Sequence, residues 1–186
     1  MSLSPDRFTG VNAAVLTPVT DDLIPDDALM LEYSNWLMAN DCDGLAILGT
    51  TGEANCFSLK ERIRIIERLI EGGIPSKSLM PGTGSCALTD AVELTRMAVK
   101  AGCGGVLMLP PFYYKNPSDA GLFRFFSEVI QRVGHSDLQI YLYHFPQMSA
   151  TPITYNLIEM LLKEYPDTIC GMKDSSGDLE NMAGAA

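Results

Sequence analysis

The chain has 186 residues, of which 47% are hydrophobic and 19% charged, a composition typical of a globular protein with an apolar core. Its formal net charge of −10 at pH 7 disfavours nucleic acid and anionic membrane surfaces as partners, because like charges repel. No apolar run reaches the length of a membrane span, and residues 1–10 lack the apolar segment of a signal peptide, so we expect a cytoplasmic protein.

Short apolar runs recur along the chain and are predicted to be β-strands. Each run is apolar almost throughout instead of alternating with polar residues, a pattern typical of strands that are buried on both faces of a parallel sheet. The runs cover residues 11–16, 44–48, 78–81, 104–109, 138–143 and 168–172.

Amphipathic segments with helical spacing lie between these runs. One of them begins with capping-box spacing, Ser58 followed by Glu61, and ends at Gly72 and Gly73. The apolar stripes fall at residues 29–37, 63–70, 91–101, 122–133 and 157–161. Strict alternation of strand and helix predicts an α/β fold with parallel strands.

Two closures of such a sheet compete. An open doubly wound sheet usually binds a nucleotide, and neither G-x-G-x-x-G nor a P-loop motif is present. A (β/α)8 TIM barrel fits the rhythm, although a barrel typically needs ~250 residues. If the chain is a barrel, residues 1–186 form a single domain with about six strand–helix units. We then expect it to end before the last two strands and the C-terminal helices, with residues 178–186 starting the next helix.

The segments that follow the predicted strands carry hydroxyl groups and one amine. Functional sites of parallel α/β folds form at the carboxyl ends of strands, which here supply Thr50, Thr51, Tyr113, Tyr143 and Lys173. A lysine amine that attacks a ketone, with hydroxyls that move protons, is the equipment of imine chemistry. Because an ordinary lysine with a pKa of ~10.4 is only about 0.04% neutral at pH 7, such an amine needs an apolar setting, as at a strand end.

Each feature also has an ordinary structural interpretation. A lysine just past a strand is often a solvated surface residue, and Tyr143 alone fits a core aromatic with a satisfied hydroxyl. The turn that starts at Gly49 is either a tight loop or a cradle for a carboxylate. Only His135 and His144 are present, on different segments, which disfavours a metal site; His144 is a candidate hydrogen-bonding residue at the site edge.

Several motifs in this order resemble the dihydrodipicolinate synthase / N-acetylneuraminate lyase family. They are F-T-G at 8–10, L-T-P at 16–18, G-T-T-G-E at 49–53, G-T-G at 82–84, P-F-Y-Y at 111–114, L-Y-H-F-P at 142–146 and G-M-K at 171–173. The resemblance runs nearly end to end. It implies an eight-stranded barrel, homotetramers built from dimers, and chemistry without a metal or an organic cofactor.

The resemblance also implies roles for individual residues. Lys173 would form the imine with pyruvate, and Tyr143 would be the acid/base for carbinolamine breakdown and for the C–C bond. Thr50 would link Tyr143 into a proton relay, which Tyr113 would complete by reaching into the neighbouring subunit's site. Thr51, together with the Gly49 turn, would hold the pyruvate carboxylate.

One position departs from the pattern of relatives that condense pyruvate with aspartate semialdehyde. Those relatives carry an arginine two residues after the proline of the segment at 142–146, where this chain has Met148. A thioether cannot replace the paired hydrogen bonds that arginine makes with a carboxylate. Met148 would therefore line the site for another second substrate.

These features predict a class I aldolase or lyase that makes or breaks a C–C bond between pyruvate and an aldehyde, such as a sugar-acid fragment. Dihydrodipicolinate synthase itself, which condenses pyruvate with aspartate semialdehyde, is the alternative within the class. An alternative of another kind is a non-catalytic homologue or an inactive fragment that binds ligands without turnover.

Overall fold

The computed structural model describes residues 8–185. Within that range the strands are β1 (Asn12–Ala14), β2 (Gly44–Ala46), β3 (Val106–Met108), β4 (Ile140–His144) and β5 (Ile169–Asp174). The helices are α1 (Asp27–Ala39), α2 (Leu59–Glu71), α3 (Leu88–Lys100), α4 (Asp119–Val133), α5 (Pro146–Ser149), α6 (Tyr155–Glu164) and α7 (Leu179–Ala185). The predicted alternation of strand and helix is confirmed.

The predicted strand at 78–81 is not a regular strand, and this part of the prediction is wrong. The segment instead forms isolated parallel bridges to β2 on one side and to β3 on the other. Met80 N–H donates to Leu45 O at 2.9 Å, and Leu107 N–H donates to Pro81 O at 3.0 Å. Proline has no N–H to continue a ladder, which explains the interruption. The segment still joins β1–β2 to β3–β4–β5, so all strands form one parallel layer in chain order.

The helix ends follow from local side-chain chemistry. The capping box of α2 is confirmed, since Ser58 N–H donates to Glu61 Oε2 at 2.8 Å and Glu61 N–H donates to Ser58 Oγ at 3.3 Å. The helix stops at Gly72, and Gly73 follows with a φ of +97°, a conformation that favours glycine. The two caps fix where α2 begins and where it returns the chain to the sheet.

Apolar side chains pack on both faces of the sheet. The larger cluster lies between the strands and the helices, and a smaller one lies on the other face around Met80, Leu107 and Tyr143. Phe8 and Tyr141 close this inner cluster, with the Phe8 N–H donating to the Tyr141 hydroxyl at 2.7 Å. Burial on two faces explains why the strands are apolar throughout.

The order of elements and the inner cluster identify the fold as α/β, the curved parallel layer of a (β/α) barrel. After β5 the chain enters α7, as predicted for residues 178–186. Within residues 8–185, no helix combines the length and the hydropathy that crossing a bilayer requires.

Candidate active site

Tyr143 and Lys173 face each other across two neighbouring strands. They are direct partners in the parallel register of β4 and β5, so both side chains leave the sheet on the inner face. The Lys173 Nζ lies 4.2 Å from the centroid of the Tyr143 ring. Tyr143 is only 3% exposed, whereas Lys173 is partly buried. A ketone that reached this amine would therefore lie beside a phenol.

The Tyr143 hydroxyl is held by hydrogen bonds at the carboxyl ends of the strands. It donates to Thr50 Oγ1 at 3.3 Å, which joins the end of β4 to the turn after β2. Burial raises the pKa of Tyr143, but hydrogen bonds with Thr50 and Ser175 and the charge of Lys173 outweigh it, so the pKa lies below its ordinary value. A phenol with a lowered pKa gives up its proton more readily, which suits it to general acid–base catalysis.

Ser175 is a site residue that the sequence interpretation missed. It follows Lys173 by two residues, and alternate residues of an extended chain share a face. Its backbone N–H donates to His144 O at 2.8 Å, which extends the β4–β5 ladder past the end of β5. The two-residue spacing from Lys173 was the feature of the sequence that could have identified Ser175. It was overlooked because a serine in a Ser-Ser-Gly segment is typical of an ordinary turn.

The turn after β2 is held against the end of β1. Thr17 Oγ1 donates to Gly52 O at 2.8 Å, and a Cβ at Gly52 would lie 2.8 Å from Val15 O, so only glycine fits there. Thr50 points towards Tyr143, whereas the neighbouring Thr51 is exposed. The turn thus presents one threonine to Tyr143 and leaves the other at the surface.

A small cavity opens beside the Thr50–Tyr143 pair. Gly49, Thr50, Leu109 and Tyr143 contribute to its lining, together with the buried Arg62 from α2. Among residues 8–185, no three His, Cys, Asp or Glu side chains come together in an arrangement that could hold a metal ion.

The model of the dihydrodipicolinate synthetase family matches residues 7–185 of this chain. The chain belongs to that family. An uncharacterized DapA-like lyase of Chloroflexus aurantiacus is 39% identical over 173 residues, which is 92% of this chain. The chain spans 57% of the length of that relative.

Solved structures of this family superpose closely on the chain. The dihydrodipicolinate synthase from Agrobacterium tumefaciens has a TM-score of 0.90 at 32% identity and covers 94% of this chain, which spans 61% of it. YagE, a prophage protein of the dihydrodipicolinic acid synthase family from E. coli K12, was solved in complex with pyruvate. It has a TM-score of 0.83 at 30% identity, with coverage of 93% of this chain and 56% of YagE. The predicted family and its barrel fold are confirmed.

His144 does not share the face of β4 that carries Tyr143. It is buried on the opposite face of β4 from Tyr143, and its Nδ1 accepts the backbone N–H of Ile153 at 3.1 Å. Its partner across the ladder is Asp174, whose carboxylate accepts from Ser176 N–H and from the amide of Asn181, both at 2.7 Å. Neighbouring residues of a strand face opposite ways, so His144 points away from the Tyr143 side, and its part in substrate binding stays a prediction.

Tyr113 and Met148 lie at the exposed mouth. Tyr113 is 71% exposed on the loop between β3 and α4, and within residues 8–185 no hydrogen bond joins it to Tyr143 or Thr50. Lys115 holds this loop by donating to the carbonyls of Phe112 and, at 3.4 Å, Ser149. Met148 is 61% exposed on α5, directly beyond the end of β4. The Tyr113 and Met148 side chains are therefore exposed and can contact a molecule that binds at the mouth.

Proposed function

We propose that the protein is a pyruvate-dependent class I aldolase or lyase that forms a Schiff base on Lys173. The observation that carries the proposal is the arrangement of three side chains at the strand ends: the Lys173 amine 4.2 Å from the Tyr143 ring centroid, and the Tyr143 hydroxyl 3.3 Å from Thr50. An amine beside a phenol in a hydrogen-bonded pair is what imine formation requires.

The first half of the reaction is the capture of pyruvate. The Lys173 amine attacks the C2 carbonyl through its lone pair, and a proton moves from the nitrogen to the carbonyl oxygen to give a carbinolamine. Tyr143 donates a proton to that hydroxyl, which leaves as water while the nitrogen lone pair forms the C=N bond. Loss of a C3 proton then gives an enamine, and Tyr143 exchanges the protons through Thr50.

The second half makes or breaks the C–C bond. In the synthetic direction the enamine C3 attacks an aldehyde carbon, and Tyr143 protonates the new alkoxide. Hydrolysis of the imine then frees Lys173. In the cleavage direction the same steps run in reverse, so that Tyr143 removes the proton from the substrate hydroxyl.

Other residues would bind the substrate. The turn that begins at Gly49 would hold the pyruvate carboxylate, with the Thr51 hydroxyl as a further donor. Tyr113 would enter the site of a neighbouring subunit in a homotetramer built from dimers. Its 71% exposure supports this role, because a tyrosine that serves another subunit must project from its own.

The second substrate is proposed to be an aldehyde such as a sugar-acid fragment. Met148 supports this assignment, because its thioether offers no charge to a second carboxylate. Condensation with aspartate semialdehyde is the second candidate, favoured by the likeness to the Agrobacterium synthase. Retention of Lys173, Tyr143 and Thr50 in contact argues against an inert homologue.

The remaining features of the proposal are cellular and architectural. We propose a cytoplasmic enzyme that uses no metal or organic cofactor, because the substrate imine itself serves as the electron sink. Residues 1–186 would form part of a single barrel domain, with further strands and C-terminal helices completing it in the relatives' manner.

Turnover tests this function. The complete polypeptide that carries residues 1–186 should exchange the methyl hydrogens of pyruvate with deuterium and should cleave 2-keto-3-deoxy sugar acids to pyruvate. Turnover of aspartate semialdehyde at a higher kcat/KM would select the second candidate. Absence of both exchange and turnover in a folded protein would support the inert homologue.

A further inference from the structure

Arg62 is a buried cation that has no carboxylate within ion-pair distance among residues 8–185. The residue is 5% exposed on the inner side of α2, and within residues 8–185 it forms no ion pair. Its Nε is buried and has no hydrogen-bond partner in the same range. Burying a charge without a carboxylate partner is costly, so its retention indicates a role.

The guanidinium instead holds the backbone of the turn at residues 82–84. Its Nη2 donates to Gly82 O at 2.8 Å and to Gly84 O at 3.3 Å. This turn is pressed between the strand ends, because a Cβ at Gly82 would lie 2.0 Å from Leu48 O and one at Gly84 would lie 2.6 Å from Leu109 N. The turn at residues 82–84 is therefore held in two ways, by the hydrogen bonds from Arg62 and by close contact with the neighbouring backbone.

The same cavity contains Arg62 and the proton relay. Arg62, Gly82 and Gly84 line it together with Thr50 and Tyr143. Burial lowers the pKa of Arg62 to about 10, with the charge of Asp90 opposing the shift, so the guanidinium is still a cation at neutral pH. A permanent positive charge in a low-dielectric cavity favours the ionised form of a phenol.

We infer that Arg62 is a positioning residue for the Tyr143–Thr50 pair: it fixes the 82–84 turn that walls their cavity and places a positive charge in that wall. The inference rests on the proposed function. Lys173 from β5 lies against the Tyr143 ring, Arg62 from α2 lines the same cavity, and Asp90 on α3 acts on Arg62. His144 and Asp174 lie on the opposite face of β4 and β5.

The experiment measures exchange of the pyruvate methyl hydrogens with deuterium as a function of pH, which needs no second substrate. In Arg62→Gln the low-pH limb of the profile of exchange rate against pH should move to higher pH by about one unit. The exchange rate at pH 7 should then fall about tenfold and recover as the pH rises. Arg62→Lys keeps the charge, so its limb should stay at the wild-type pH while its maximal rate falls. Arg68→Gln is the matched control, because Arg68 is on the same helix but pairs at the surface with Glu71 at 2.8 Å.

A folded Arg62→Gln variant with the wild-type pH limb would overturn the inference, as would an Arg62→Lys limb that shifts as far as that of Gln. If Arg62→Gln does not fold, Arg62→His gives the same test, because imidazole is mostly neutral above pH ~6.5. A wild-type limb in that variant would also overturn the inference. Failure of the proposed function is distinguishable, since the wild-type protein would then show no pyruvate exchange at all.

Discussion

The Tyr143 hydroxyl donates a hydrogen bond to Thr50 Oγ1 at 3.3 Å, although 93 residues separate the two in sequence. The bond joins the ends of β4 and β2, which are separated in the sheet by β3 and by the segment at 78–81. Only a curved sheet brings side chains from such distant strands together on one face. The barrel curvature thus creates the Tyr143–Thr50 contact.

Removal of the phenol should slow catalysis without unfolding the protein. Tyr143→Phe keeps the ring beside Lys173 but loses the acid–base group, so kcat should fall about 10²- to 10⁴-fold. Slow trapping of pyruvate on Lys173 should persist. Steady-state kinetics and a thermal melt check this prediction, and a variant within a few-fold of wild-type kcat would contradict it.

Removal of the Thr50 hydroxyl should change the pH dependence. The hydrogen bond with Thr50 lowers the pKa of Tyr143, so Thr50→Val should raise that pKa and move the low-pH limb of kcat/KM to higher pH. A neutral hydrogen bond contributes ~0.5–1.5 kcal/mol, so the shift should be at most about one pH unit. Thr50→Ser is the control and should keep the wild-type limb; an unshifted limb in Thr50→Val would exclude this coupling.

A charge at the mouth should change substrate preference. Met148→Arg supplies a guanidinium beyond the end of β4, where it can pair with a second carboxylate. We expect kcat/KM for aspartate semialdehyde, relative to sugar-acid aldehydes, to rise about 10- to 100-fold, given ~1.5–3 kcal/mol for a charge-assisted hydrogen bond. Met148→Leu should leave the ratio unchanged. An equal ratio in both variants would remove Met148 from the specificity argument.

A side chain added at Gly105 should clash with Tyr141 in the inner cluster and destabilise the fold. A Cβ at Gly105 would lie 2.7 Å from the Tyr141 ring, so Gly105→Ala should lower the free energy of unfolding by ~1–3 kcal/mol. The control is Gly121→Ala in α4, where the nearest atom lies at 3.4 Å and alanine should stabilise by up to ~1 kcal/mol. Denaturant unfolding measures both, and equal effects would show that packing at Tyr141 is unimportant.

Much of the fold follows from the periodicity of apolar residues. Periodicity predicted the order of strands and helices, and the spacing of Ser58 and Glu61 predicted the capping box of α2. Neither could show that Pro81 would interrupt the third predicted strand. The apolar stripe that periodicity placed on α2 begins at Ile63, which is partly buried, whereas the buried residues of α2 include Arg62 and Ile65. A buried arginine breaks hydrophobic periodicity, because its place is set by backbone carbonyls from another segment.

The candidate site was partly predictable for the same reason. The rule that strand ends converge placed Lys173, Tyr143 and Thr50 together, and the structure joins them. The inward position of Tyr143 requires His144 to face outward, a consequence of strand alternation that could be read from the sequence. The proposed contact of Tyr113 with another subunit lies outside what one chain can specify.

The most direct test of the central claim is to trap the imine. The complete protein is incubated with pyruvate, reduced with borohydride, and digested for mass spectrometry. The account predicts one added pyruvic acid less one oxygen atom, located on Lys173 and absent from Lys173→Arg, with the exposed Lys163 of α6 unmodified. A folded protein that gains no mass on Lys173, or gains it equally on Lys163, would contradict the account.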